Sequence, residues 1–229
     1  MYLNDVAMVA ADTTRTKYYL EKLIQNELLP VYVLLLLNCD AELLPGQKDS
    51  TGKIELVKLL KEAGIQYDIS PNSDINSHEV ISHISSRVER VFIFSGFGGV
   101  ILRDDILETG KRFLHVHGGY LPDYKGSTTN YYSLIKENTI GASSIFLNKE
   151  IDCGPVLLRK KFPAPKDRTE IDHIYDSEVR SKVLIETLTK YVKSGRWDFE
   201  LKNNRGGETF YIIHPVLKHI AILSNRALK

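Results

Sequence analysis

Short apolar runs alternate along the first half of the chain with segments whose apolar residues recur at helical spacing. VAMVAA (6–11) predicts a buried strand, and TRTKYYLEKLIQNEL (14–28) predicts a helix carrying Tyr18, Leu20, Leu23 and Ile24 on one face. VYVLLLL (31–37) predicts a second buried strand. The polar loop DAELLPGQKDSTG (40–52) then leads to a helix over IELVKLLKEAG (54–64), closed by Gly64 as a C-cap. A short strand near QYDIS, a helix over INSHEVISHISSRVE and a strand in VFIFSG (91–96) extend the series. This alternation predicts an α/β fold with a Rossmann-like, mostly parallel sheet and helices on both faces. Ligands of such sheets bind beyond the carboxyl ends of the strands, which directs attention to GFGG after strand 91–95 and to HVHGG after FLHV.

The second half changes character. IGASSIFLN (140–148) and PVLLRKKF (155–162) predict two strands joined by KEIDCG, with Gly154 allowing the turn. Pro163 and Pro165 punctuate the chain, and a long helix is expected from about residue 170 to 193 with Thr169 as its cap. The expected division is therefore a Rossmann-like catalytic domain at 1–163 and a small helical and strand-bearing appendage at 164–229. No internal repeat or low-complexity segment stands out.

Composition narrows the function classes. Thirty Lys and Arg against 29 Asp and Glu give a net charge of +1, so no electrostatic case exists for nucleic acid or an anionic membrane. Cys39 and Cys153 lack metal-site or disulfide-framework spacing, which points to a reducing compartment, with cytoplasm as the expected location. The longest apolar run is far short of the roughly 20 residues a membrane span needs, and no signal-peptide pattern opens the chain.

Four features are candidates for chemistry. His115 and His117 alternate on a strand end and share a face, so they can reach one ligand. A metal-dependent hydrolase could use that pair with a third ligand. HEVISH (78–83) imitates the metal-binding HExxH with one residue too many: five residues on a helix leave its two histidines about 140° apart, so that pair cannot chelate one metal. GFGG fits only the start of a dinucleotide fingerprint, so its glycines are better read as permitting a tight loop that borders a ligand. Asp152 lies in a glycine-containing loop between two apolar strands, at a partly shielded strand end.

Together these pieces resemble a family. FLHVHGGYLPDYKG, followed after a helix by GASSIFLNKEIDCGPVL, is similar to the folate-dependent formyltransferases. Their hallmark is Asn-x-His-x-Ser-Leu-Leu-Pro-x-Tyr-Arg-Gly with a later Asp-x-Gly-Pro loop. The resemblance covers roughly residues 91 to 160 and implies 10-formyltetrahydrofolate as formyl donor. It places His117 and Asp152 on the family's histidine and aspartate, and His115 where the family has asparagine. Gly119 stands where serine is common. The implied roles are oxyanion stabilisation and proton handling for His117, orientation and proton acceptance for Asp152, and a second oxyanion donor in His115. The resemblance also implies a donor site lined by Gly96, Phe97, Gly98, Leu121, Ile151, Cys153 and Gly154. The implied acceptor site involves Thr14, Arg15, Tyr120, Tyr124, Lys125 and Gly126. No metal is implied.

The family acts on glycinamide ribotide, initiator methionyl-tRNA or nucleotide-linked amino sugars, and includes hydrolytic relatives. AADTTRTK lacks the glycine-rich phosphate loop of the glycinamide enzymes, although Thr13, Thr14 and Arg15 at a helix start could hold an anion. A basic C-terminal domain, as in the tRNA enzymes, and a regulatory N-terminal domain, as in the hydrolases, are not expected. The tail GETFYIIHPVLKHIAIL resembles the amino-sugar branch, so the expected reaction is N-formylation of an amino sugar, on a nucleotide carrier. Tyr124, Tyr131, Tyr132 and Tyr211 could stack on sugar or base, and the apolar tail offers a homodimer surface. A metal-dependent hydrolase using HxH and a catalytically inactive, formyltransferase-like binding protein stay open on the residues alone.

Overall fold

The computed structural model describes residues 2–37 and 50–224, and of residues 50–54 the backbone alone. The polar loop expected at 40–52 lies outside the described residues up to 49, as does Cys39. The chain divides into two compact units, Met1–Leu114 and His115–Lys229.

The first unit runs β1 (Tyr2–Leu3), β2 (Val6–Ala11), α1 (Thr14–Gln25), β3 (Leu29–Pro30), β4 (Tyr32–Leu36), α2 (Ser50–Glu62), β5 (Gln66–Ile69), α3 (His78–Ser86), β6 (Val91–Ser95), α4 (Asp104–Leu107) and the start of β7 (Arg112–His117). β7, β6, β2, β4 and β5 lie side by side in that order, all parallel, with Val9 opposite Phe94 on one side and Leu34 on the other. Every residue of β2, β4 and β6 is buried, which is why their sequences are unbroken apolar runs rather than alternating ones. From β2 the chain steps outward to β4 and β5, then returns to β6 on the opposite side. The reversal places the carboxyl ends of β2 and β6 together.

Helix ends follow local chemistry. α2 closes as expected at Gly64 (φ +68°), with Ile65 N–H donating to the Leu60 carbonyl and Gly64 N–H to that of Lys61. α1 was expected to reach residue 28 but stops at Gln25. The same pair of bonds forms there, Leu28 to Leu23 and Glu27 to Ile24, with Glu27 itself in the left-handed region (φ +55°). Its buried face is Thr16, Tyr19, Leu20 and Leu23: the expected Leu20 and Leu23 lie on it, whereas Tyr18 and Ile24 are half-buried.

In this unit Glu89 is 3% exposed and receives two hydrogen bonds from Arg87, at 3.0 and 2.7 Å. Burial opposes its ionisation, but the hydrogen bonds and charge of Arg87 outweigh this and hold its carboxyl below the usual value of 4.5. A depressed folded-state pKa contributes stability above the unfolded value, and the contribution is lost as pH falls through the folded one. Glu89→Gln is therefore expected to cost about 2 kcal/mol at pH 7. That deficit should shrink as urea-unfolding midpoints are followed from pH 7 into the acid range. A deficit independent of pH would contradict the assignment.

The second unit contains the end of β7, β8 (Tyr124–Gly126), α5 (Thr129–Glu137), β9 (Thr139–Phe146), β10 (Val156–Pro163), a π-helical turn (Ile171–Tyr175), α6 (Asp176–Ser194), β11 (Glu208–Phe210) and α7 (Pro215–Leu223). β9 lies between β7 and β10 and pairs antiparallel with the latter, giving the expected hairpin-like excursion. α6 packs on β9 and β10. Two expectations change here. Thr169 does not cap the helix: its hydroxyl donates to Asp167 at 2.6 Å, and the helix begins with the π turn. Gly154 does not supply a positive φ, because Asp152 does (φ +53°); a Cβ at 154 would instead lie 1.7 Å from the Phe146 carbonyl oxygen.

Candidate active site

β7 carries the HVH stretch to its carboxyl end. His117 is 5% exposed and the half-buried His115 stands two residues before it. The turn that follows is braced from α6. Arg180 donates to the Val116 carbonyl at 3.0 Å and to Asp176, and Asp176 also accepts from Asn130 at 2.6 Å. Gly118 fits only because it lacks a side chain; a Cβ there would lie 2.3 Å from the Arg180 guanidinium.

His117 Nε2 lies 2.7 Å from the Tyr124 carbonyl oxygen, and Nδ1 lies 3.3 Å from Asp152 Oδ1. A carbonyl only accepts, so Nε2 carries a hydrogen and Nδ1 is the position whose proton can come and go beside Asp152. Asp152 is 9% exposed, and its second oxygen accepts from the Gly126 backbone N–H at 2.8 Å. The carboxylate is thus fixed in position while one oxygen faces the imidazole. This is an arrangement for moving one proton in a shielded place.

Gly119, which stands where the related family commonly has serine, makes the first of these contacts possible. A Cβ on it would fall 2.4 Å from the Tyr124 carbonyl oxygen and 2.6 Å from His117 Nε2. Both ring nitrogens already face oxygen acceptors. Among the described residues, no three His, Cys, Asp or Glu side chains are grouped to hold a metal ion.

The remaining candidate residues fall into separate places. Tyr124, Lys125, Gly126, Cys153 and Gly154 join His117 and Asp152. Lys125, 3% exposed, donates to Cys153 Sγ at 3.2 Å and to the Asn204 carbonyl at 2.7 Å. The Tyr124 ring stacks on Phe210, and burial with the Glu137 carboxylate pushes its hydroxyl pKa up, so it acts as a neutral donor. Tyr120 lies under Arg159 and Lys161. Leu121 is wholly buried against Ile145 and Val156, with its N–H on Ser143 and its carbonyl on Arg159, whereas Ile151 is 54% exposed. Tyr131 is packed in the interior, while Tyr132 packs on Phe210 and Tyr211 is 81% exposed.

In the first unit, Arg15 at the start of α1 donates to the Gly96 carbonyl and to Ser95 Oγ, tying the helix to the base of the GFGG loop at the sheet's reversal. Thr14 is exposed beside it, Phe97 is half-buried and Gly98 is exposed. His78 and His83 sit on α3, where His83 Nε2 meets the Tyr32 hydroxyl at 2.6 Å.

Sequence reasoning missed Asn204, Asn130, Asp176 and Arg180. Asn204 is 1% exposed and its amide donates to the Asp152 carbonyl at 2.5 Å and the Gly154 carbonyl at 3.2 Å. The only local sign was the glycine pair that follows it, both residues with positive φ.

The chain is 27% identical over 155 residues to a methionyl-tRNA formyltransferase of Lactiplantibacillus plantarum, covering 65% of this chain and 48% of that protein. It is 25% identical over 119 residues to the phosphoribosylglycinamide formyltransferase of Escherichia coli, covering 52% of this chain and 56% of that one. The chain thus spans about half or less of the length of such methionyl-tRNA formyltransferases. In fold it is similar to a sugar N-formyltransferase from a Shewanella species, with a TM-score of 0.61 at 15% identity over 95% of this chain and 86% of the other. The formyl transferase family profile matches residues 6–187, which include β7, His117 and Asp152. The chain belongs to the formyl transferase family.

Proposed function

We propose that the chain transfers a formyl group from 10-formyltetrahydrofolate to the amine of an amino sugar carried on a nucleotide. The observation that carries the reaction class is the shielded His117–Asp152 pair, 3.3 Å apart, with the second carboxylate oxygen anchored on Gly126 N–H. The donor belongs with family membership, and the residues present suit it. Asp152 and His117 offer one proton acceptor and one ring, both buried, at the DCG loop, with Ile151 exposed next to Asp152. When bound, the folate supplies the formyl carbon. The protein's part is to take a proton from the attacking nitrogen and to place hydrogen-bond donors near the developing oxyanion. Asp152 accepts the proton, directly or through His117 Nδ1, and His115 supplies a donor from the same strand.

The acceptor class is supported by structural neighbours that span nearly the whole chain. They include a sugar N-formyltransferase of a Shewanella species over 95% of it and a 4-N formyltransferase of Francisella tularensis over 96%. The near-neutral charge balance gives no electrostatic case for tRNA. Exposed Tyr211 beside Tyr132 and Phe210 gives the second unit an aromatic surface suited to a sugar or base.

The test is tetrahydrofolate release from 10-formyltetrahydrofolate with a panel of nucleotide-linked amino sugars, glycinamide ribotide and methionyl-tRNA. Turnover with at least one amino sugar, and none with the other two, is expected. Folate binding without release for any amine would replace this reading with that of a binding protein. One observation favours that second reading: His117 Nε2 is engaged by Tyr124 instead of facing outward.

A further inference from the structure

We infer that Asn204, a residue beyond the part of the chain matched by the family profile, is a positioning residue for Asp152. The inference rests on the formyl-transfer reading for its kinetic consequence, but its structural basis stands apart from it. Asp152 holds a left-handed backbone conformation, φ +53°, that a residue with a side chain adopts at a cost and keeps only when its surroundings impose it. The imposing group is the Asn204 amide, whose Nδ2 donates to the carbonyls of both Asp152 and Gly154. The reverse orientation would set an oxygen against two oxygens.

Asn204 is held in turn by the rest of its segment. Its own carbonyl accepts from the buried Lys125 ammonium at 2.7 Å, and Lys125 precedes Gly126, whose N–H anchors the Asp152 carboxylate. Three chain segments, 125–126, 152–154 and 204, thus close a ring of hydrogen bonds around one carboxylate. On one side the segment is fixed by paired bonds between Leu201 and Val156, at 2.8 and 3.0 Å. On the other, β11 pairs in parallel with β8, with Phe210 opposite Gly126. Gly207 passes so close to Pro122 that a Cβ would lie 1.7 Å from its carbonyl oxygen. A carboxylate displaced by about 1 Å from its productive place can cost on the order of 10²-fold in rate.

The experiment compares the full chain with Asn204→Ala, Asn204→Ser, Asp152→Ala and the Asn204→Ala/Asp152→Ala double variant, reading formyl transfer and amide hydrogen exchange at Gly126. For Asn204→Ala, kcat should fall roughly 10- to 100-fold with KM within about twofold, and Gly126 exchange should accelerate at least about tenfold. Asn204→Ser, which keeps one donor, should fall between it and the parent. In the Asp152→Ala background the Asn204 substitution should cost nothing further, since there is no carboxylate left to position. Parental kcat and parental Gly126 protection in Asn204→Ala, or an undiminished kcat loss in the double variant, would overturn the inference. If Asn204→Ala does not fold, Asn204→Ser carries the same comparison. A parent that transfers formyl to no amine defeats the activity reading alone, and Gly126 exchange then decides the role of Asn204.

Discussion

His117→Ala is expected to lower the proposed formyl transfer by about 10²- to 10⁴-fold, the range for removal of a positioned acid or base. The alanine removes the β7 imidazole that faces Asp152 Oδ1, and with it the Nδ1 position through which a proton can pass. It also leaves the Tyr124 carbonyl without its Nε2–H donor in a buried place, so some stability is lost as well. His117→Gln separates the two effects. A glutamine retains bulk and an N–H for the carbonyl but cannot exchange a proton, so its turnover should stay near that of alanine while its melting temperature returns toward the parent's. Kinetics at a temperature where circular dichroism shows all three proteins folded make the comparison. Near-parental turnover in the glutamine variant would remove His117 from proton handling and leave it a structural residue.

The parts of this molecule that were legible in the sequence are those in which one residue type has one reason to be present. β2, β4 and β6 are covered on both faces, so their burial wrote itself into continuous apolar runs. Gly64 ends α2 because glycine adopts the left-handed conformation most cheaply. That His117 and Asp152 meet was legible through their neighbours, since HVHGGYLPDYKG and DCGP together carry a resemblance that neither carries alone. What escaped is held by backbone atoms or by distant partners. The Tyr124 carbonyl that engages His117 has no sequence signature, because every residue has a carbonyl. Glu27 takes a position where glycine would have announced the end of α1, so the helix was drawn too long. Asn204 lies 52 residues from Asp152, in a stretch that reads as polar surface, and only its 1% exposure reveals that it is interior. Tyr19 and Thr16 on the buried face of α1 escaped for a similar reason: Tyr18 and Tyr19 are chemically identical, and Thr16 is buried because its hydroxyl meets Ser95.

Two glycines expected near the donor give the second large effect and its control. Gly154→Ala should destabilise the fold by about 3 kcal/mol, toward the upper end for overpacking a filled site. For a chain of this length that is a fall in Tm of roughly 6–12 °C. Its φ is not in the left-handed region, so the penalty is steric: the new Cβ would overlap the Phe146 carbonyl oxygen. Neither side of the contact can yield easily. Phe146 N–H is bonded to the Pro155 carbonyl, Val156 is tied to Leu201, and the Gly154 carbonyl is held by Asn204. Any relief must therefore move the DCG loop and take Asp152 with it, so kcat should fall even where the variant is folded. Gly98→Ala meets nothing within 4 Å and needs no unusual φ, so its stability should stay within about 0.5 kcal/mol of the parent. Equal losses in the two variants would mean that glycine matters at both places for chain flexibility. Unequal losses in the expected order would place the requirement in one backbone contact, between β9 and the residue that follows Cys153.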